Sequence, residues 1–312
     1  MKDLIPGRVT RLQSGFYTVE TAQGKIICHL RGRLKKGRSD GDFITVGDRV
    51  QIELHTDGEG SIEQIEERQT ALVRLAPTAR GVYRQLLAAN LDQVVLVFAC
   101  ANPEPHLRML DRFLVICEKQ GIPPVVVVNK VDLVGKRKAV ELFGEYEKIG
   151  YPVVYTSASE HKGIDSLREH LIGRCSGLAG PSGVGKSSLL NAVQPELGLA
   201  VREISEAFNK GRHTTTVREM FALNEGGFVV DLPGLRQLSL WDTEPEELDG
   251  YFPELRDLVQ HCQFNDCKHL DEPGCAVQQA VEEGKVSDAR FESYLRMRFG
   301  DSLQFEVPEE QD

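Results

Sequence analysis

Asn129-Lys130-Val131-Asp132 stands well ahead of the glycine-rich stretch Gly180-Pro181-Ser182-Gly183-Val184-Gly185-Lys186-Ser187, and each directly follows an apolar run, 124–128 and 175–179 respectively. Short apolar runs of this kind read as buried parallel strands, and α/β proteins bind ligands at the carboxyl ends of such strands. A fold that uses both motifs must therefore bring the ends of two strands to one edge of a parallel sheet. It must do so with the asparagine motif first in the chain.

The glycine-rich stretch fits GxxxxGK[ST]. In that pattern backbone N–H groups cradle phosphates, the lysine reaches the β and γ oxygens, and the following hydroxyl binds magnesium. The apolar spacing of 186–193 predicts a helix that would hold phosphate at its N-terminus, with Ser187 and Ser188 in the first turn. After the other strand, an Asp132 carboxylate can accept from guanine N1–H and N2–H. Adenine offers no such donor pair, which favours GTP over ATP. Thr156-Ser157-Ala158 closes the next apolar strand and suits a loop whose backbone N–H meets guanine O6.

Downstream, 228–231 reads as a strand ending in Asp231-Leu232-Pro233-Gly234. Asp231 is expected to hold magnesium through water and the Gly234 N–H to meet the γ-phosphate. Between these motifs lies Gly211-Arg212-His213-Thr214-Thr215-Thr216. One threonine hydroxyl there, Thr215 or a neighbour, can complete the magnesium shell. Leu235 occupies the place where Ras-type proteins carry a water-orienting glutamine, so intrinsic hydrolysis is expected to be slow. His213 is the candidate to orient water or a proton instead, beside Lys186 and Thr215 as the other catalytic candidates.

Cys262, Cys267, His269 and Cys275 give C-x4-C-x-H-x5-C, a closed tetrahedral donor set for one structural zinc ion. His261 is an alternative nitrogen ligand. The other cysteines, Cys28, Cys100, Cys117 and Cys175, are scattered, and no secretory segment precedes them, so a reduced, cytoplasmic chain is expected. The longest apolar run, 94–101, is far short of the roughly 20 residues that span a membrane.

Charge separates the regions. Residues 1–70 hold 11 basic and 11 acidic side chains, whereas 243–312 hold 6 and 18, so the acidity behind the net charge of −10 lies at the C-terminal end. This balance excludes a protein that coats nucleic acid generically. A local contact is still open to the five cations Arg31, Arg33, Lys35, Lys36 and Arg38. They fall within a series of about five short strands in the first 70 residues, which predicts a small barrel of the OB type, with an SH3-like barrel as the alternative from sequence alone. The expected organisation is a barrel at 1–70, a linker at 71–89, a doubly wound α/β domain at 90–242 with helices over 106–120, 136–149 and 163–172, and a mainly helical metal-binding region with an acidic tail at 243–312.

These motifs, in this order, resemble the circularly permuted GTPases of small ribosomal subunit biogenesis, the RsgA type, over nearly the whole chain. The resemblance implies an N-terminal OB-fold, a central P-loop GTPase domain with permuted motif order and a C-terminal zinc domain. It also implies a monomeric, magnesium-dependent GTPase that cycles between GTP and GDP, binds the 30S subunit and its 16S rRNA, and is released by subunit-stimulated hydrolysis. In that family the histidine corresponding to His213 is a proposed catalytic residue.

Overall fold

The computed structural model describes residues 3–32, 44–56, 58–78, 81–199, 218–232 and 243–300, with the backbone alone at 75–78 and 81–84. The chain forms two compact units. Residues 1–105 and 120–241 make the first, residues 106–119 and 242–312 the second.

In the first unit, β1 (Ile5–Gln13), β2 (Phe16–Thr21), β3 (Gly24–Leu30), β4 (Arg49–Leu54) and β5 (Gly60–Ile65) close into a barrel in the order β1-β2-β3-β5-β4-β1. All neighbours are antiparallel except β3 and β5, so the fourth and fifth strands enter as an OB-type Greek key. Alternation drives this closure: Val19, Ile26, Cys28, Val50, Ile52 and Ile62 turn inward and are buried, while Ile27 and Phe16 face out. Residues 71–89, read above as a linker, contain an antiparallel ribbon of β6 (Ala71–Thr78) and β7 (Gly81–Ala89).

The rest of the first unit is a sheet ordered β10-β9-β8-β11-β13-β12, continuing through β12 into barrel strand β1. Its strands are β8 (Gln93–Ala99), β9 (Pro124–Asn129), β10 (Val153–Tyr155), β11 (Cys175–Ala179), β12 (Arg218–Ala222) and β13 (Phe228–Asp231). The first five in spatial order are parallel, and β12 runs antiparallel to β13. Every residue of β8, β9 and β11 is buried, as expected of strands covered on both faces. Helices α2 (Lys136–Ile149), α3 (Ile164–Leu171) and α4 (Lys186–Val193) supply crossovers or flank the sheet, and α3 and α4 pack Leu167, Leu171, Leu189 and Leu190 against Val95, Val97, Val127 and Leu178. From β8 the chain steps outward to β9 and β10, then returns to β11 on the other side of β8. The switch in winding direction therefore lies between β8 and β11, where such folds bind ligands.

The second unit contains α1 (Leu107–Lys119), α5 (Pro253–Val259), α6 (Ala276–Glu282) and α7 (Asp288–Phe299). Helix α1, which lies in the span 90–242 of the chain, packs on α7. Its buried residues include Asp111 among Leu110, Phe113, Leu114 and Val115. Phe252 and Tyr294 meet edge to face at 5.6 Å in the core of this unit. Among the described residues, no helix is long and apolar enough to cross a membrane.

Candidate nucleotide site and metal cluster

The phosphate loop leaves β11 at Gly180 and enters α4 at Lys186. At Gly180, φ is 148° and a Cβ would lie 2.1 Å from the Val97 carbonyl oxygen; at Gly185, φ is 95° and a Cβ would lie 2.5 Å from Asn129 Nδ2. Both positions demand glycine because the loop is pressed against the neighbouring strand ends. No side chain caps α4, which leaves its first N–H groups open to an anion. Lys186 Nζ donates to the Gly180 and Pro181 carbonyls at 3.0 Å each, so the ammonium is folded over the loop it would serve.

The segment Asn129-Lys130-Val131-Asp132 is wired to this loop. Asn129 Nδ2 donates to the Val184 carbonyl at 2.8 Å, while its Oδ1 accepts from Thr156 Oγ1 at 3.2 Å and from the Ala158 N–H at 3.3 Å. Lys130, at φ 62°, donates to the Gly183 carbonyl at 2.7 Å and to the Asn102 carbonyl. Hydrogen bonding from the Ser157 hydroxyl, helped by Ser159, holds the exposed Asp132 below the usual carboxylate range, so it stays an acceptor. Three strand ends, those of β9, β10 and β11, thus share one hydrogen-bonded edge. The sequence pointed to Asn129, Asp132 and 156–158. It gave no sign of Asn102 or of the second task of Thr156, because both act through contacts with distant strands.

Asp231 ends β13 beside β11, where Leu178 is its register partner. Its Oδ1 is shielded from solvent and has no hydrogen-bond partner among the described residues. Burial pushes the carboxyl up to about 6, with the positive charge of Lys186 pulling the other way. An orphaned carboxylate oxygen near a phosphate-loop lysine, together with the buried Ser187 at the start of α4, fits a magnesium ion, whose ligands are oxygens. His213, Thr215, Gly234 and Leu235 lie outside the described residues, as do Arg33, Lys35, Lys36 and Arg38. Arg31 is described, and it pairs with Glu63 at 2.5 Å and Glu53 at 3.6 Å.

In the second unit the ligand atoms of Cys262, Cys267, His269 and Cys275 all lie within 4.8 Å of one another. His269 Nδ1 is 3.3 Å from Cys275 Sγ and 3.7 Å from Cys262 Sγ, and the latter two sulfurs are 4.0 Å apart. A tetrahedral ion with ordinary Zn–S and Zn–N lengths requires edges of about 3.6–3.8 Å, so the four donors could hold a metal. On its far side His269 Nε2 is 3.3 Å from Asp249 Oδ2, an arrangement that fixes the tautomer with Nδ1 facing the sulfurs. His261 is not a member of the cluster.

The sequence profile of the RsgA GTPase matches residues 65–241, and that of the RsgA N-terminal domain matches residues 6–62. The chain belongs to the RsgA GTPase family. The small ribosomal subunit biogenesis GTPase RsgA of Gemmatimonas aurantiaca is 45% identical over 295 residues, covering 94% of this chain and 96% of that protein. The Thermotoga maritima protein of the same name is 42% identical over 296 residues, covering 93% and 95%. Among solved structures, YjeQ from Thermotoga maritima superposes with a TM-score of 0.79 at 40% identity, covering 95% of this chain and 98% of that one. YloQ, described as a circularly permuted GTPase, gives 0.73 at 33% identity, covering 95% and 94%. This RsgA chain is accordingly a GTP hydrolase with permuted motif order, and magnesium accompanies its nucleotide.

Proposed function

We propose that the chain is a cytoplasmic maturation factor of the 30S ribosomal subunit that binds 16S rRNA, docks with GTP bound and leaves after subunit-stimulated hydrolysis. The observation that carries this reading is the alignment, over more than nine-tenths of the chain, with proteins named for small-subunit biogenesis. It is supported by the pairing of a closed barrel with a GTPase sheet in one compact unit.

In this reading Asn129, Lys130, Asp132, Ser157 and Ala158 read guanine, and 180–188 cradle the phosphates. Lys186 neutralises charge on the β and γ oxygens. Ser187, Thr215 and Asp231 hold magnesium, which supplies electrostatic stabilisation of the phosphoryl group when bound. His213 orients the water, because Leu235 has no polar group for that task, and Gly234 senses the γ-phosphate. The cysteine and histidine cluster holds one structural zinc ion. RNA contact falls to the barrel and its cations Arg31, Arg33, Lys35, Lys36 and Arg38, of which Arg31 is held by Glu63. The boundaries 1–70, 71–89, 90–242 and 243–312 mark these tasks along a monomeric chain.

Turnover of GTP measured alone, with purified 30S subunits and with 50S subunits tests this. A large stimulation by the small subunit alone is expected. Equal rates in all three conditions would indicate a free-standing switch, and no turnover in any would indicate an inert RNA binder. His213→Ala should lower stimulated turnover by about 10²-fold or more and leave GTP affinity intact; lost affinity would assign His213 a structural task.

A further inference from the structure

Barrel strand β1 and sheet strand β12 are joined by a short ladder, Arg11 opposite Glu219 and Leu12 opposite Arg218. β12 begins two residues after Thr216 in the chain. It pairs on its other edge with β13, Met220 opposite Val230, one residue before Asp231. The strand that unites the barrel with the GTPase sheet thus belongs to the antiparallel pair β12–β13, which the two segments assigned above to γ-phosphate sensing flank in the chain.

Besides the ladder and the Arg8 guanidinium, 5.0 Å from the centre of the Phe228 ring on β13, one side chain at this joint reaches further. The ion pair Arg11–Glu219, at 3.7 Å, is solvent-exposed on both sides and adds little. Arg218 differs, because its backbone sits in the ladder while its guanidinium Nη1 donates to the Leu86 carbonyl of β7 at 2.5 Å and to Thr45 Oγ1 at 3.4 Å. Three elements meet at one residue: a GTPase strand, the barrel and the ribbon. The receiving side is stiff. Thr45 donates through its hydroxyl to the Leu87 carbonyl at 3.2 Å and through its N–H to the buried Asp48 at 2.8 Å. Asp48 is in turn gripped by Arg68 through two bonds, at 2.7 and 2.9 Å. Behind Arg218, then, lies a hydrogen-bonded block that would pass on a displacement of β12 instead of absorbing it.

We propose that Arg218 is a positioning residue that couples the nucleotide state to the barrel: it transfers shifts of β12 to barrel residues 45–48 and to the ends of β1 and β7. The proposal rests on the reading that the segments flanking β12 and β13 respond to the γ-phosphate. It gives the barrel's attachment, and hence its presentation to RNA, a dependence on GTP without any contact between barrel and nucleotide.

Amide hydrogen exchange of the full-length protein, saturated with GDP or with the β,γ-imido analogue of GTP and magnesium, tests this. Exchange at 9–13 and 86–89 should differ between the two states by about fivefold or more in the wild type. In Arg218→Met the difference should vanish while GTP affinity and basal turnover stay near wild type. Arg218→Lys, which keeps a donor, should restore part of it. Thr45→Val, which removes one acceptor and leaves Arg218 in place, should weaken the difference in the same direction and guards against a folding defect in the arginine variant. If the phosphate loop responds to the analogue and the barrel does not, or if the barrel's response survives in Arg218→Met, the coupling is refuted. If the phosphate loop itself is indifferent to the γ-phosphate, the sensor reading falls and the coupling falls with it.

Discussion

The side-chain amide of Asn129 donates to the carbonyl of Val184 at 2.8 Å, tying the end of β9 to the middle of the phosphate loop. Because Asn129 Oδ1 also accepts from Thr156 Oγ1 and the Ala158 N–H, this one buried residue braces the ends of β9 and β10 against the glycine-rich loop after β11. The motif order along the chain is thereby made irrelevant to the pocket: what matters is that three strand ends converge.

Asn129→Ala leaves the buried Val184 carbonyl and the half-buried Ala158 N–H without their partner, while the Thr156 hydroxyl keeps the Val128 carbonyl. Unsatisfied buried groups of this kind cost about 1–3 kcal/mol each. GTP affinity is expected to fall by about 10²-fold or more, with a smaller loss for Asn129→Asp, which keeps the acceptor oxygen. Titration calorimetry with GTP and GDP checks this, and affinity within error of wild type would show that the brace does not shape the pocket.

The strands and loops around this brace were legible because their signals are local. Apolar runs of the right length stop where Asn129, Thr156, Gly180 and Asp231 begin, and the helix at Lys186–Val193 has its own periodicity. The spacing of Cys262, Cys267, His269 and Cys275 likewise needs no distant partner to be read. What could not be read depends on pairings across long separations. β12 shows no sign in its sequence that it faces barrel strand β1, and Arg218 meets Leu86 across 132 positions. Asp249 supports His269 from outside any motif. The ribbon at 71–89 was hidden because Leu86, Leu87, Ala88 and Ala89 are buried consecutively, which obscures strand alternation.

Asp231→Asn separates the two effects of a buried carboxylate. With its folded pKa raised to about 6, Asp231 contributes stability that is complete below the ordinary aspartate range and lost as pH rises through 6. In nucleotide-free protein near neutral pH the variant should therefore be the more stable, by an amount on the order of 2–3 kcal/mol for a shift of this size, and the gap should narrow as pH falls below 6 and close below about pH 4. Magnesium-dependent stabilisation by GTP should appear in the wild type alone. Thermal melts at the two pH values, with and without magnesium and GTP, check both halves; a variant that still gains from magnesium would remove Asp231 from its assigned task.

Asp249→Ala takes away the partner of His269 Nε2 and keeps all four of the donors that could hold a metal. Loss of such a support lowers metal affinity by about 10–100-fold. Competition with a chromophoric chelator should show that drop, whereas Cys267→Ser should fail to retain the ion at all and should unfold the second unit at lower temperature. Equal chelator resistance in Asp249→Ala and wild type would mean that the Asp249 contact does not tune the site.

Arg290 and Asp111 test how the second unit is held together. Arg290 is almost fully buried, donating to Asp111 at 2.6 Å and to Glu254 at 2.7 Å, with its guanidinium 4.6 Å from the centre of the Phe252 ring. Ser293 also donates to Asp111, at 2.5 Å, so the carboxylate links α1 to two positions on α7. Removing one member strands the other charges in the interior, at a cost of about 3–5 kcal/mol. Arg290→Met, which preserves the stem and strands two carboxylates, should be at least as damaging as Asp111→Ala, which leaves Glu254 as a partner. The double variant Asp111→Leu with Arg290→Met should recover part of the loss through apolar packing, although Glu254 remains uncompensated. Chemical denaturation of the three variants measures the coupling. Strict additivity would show that the pair is incidental, and strong non-additivity would show that α1 is bound to the C-terminal helices by this charge cluster.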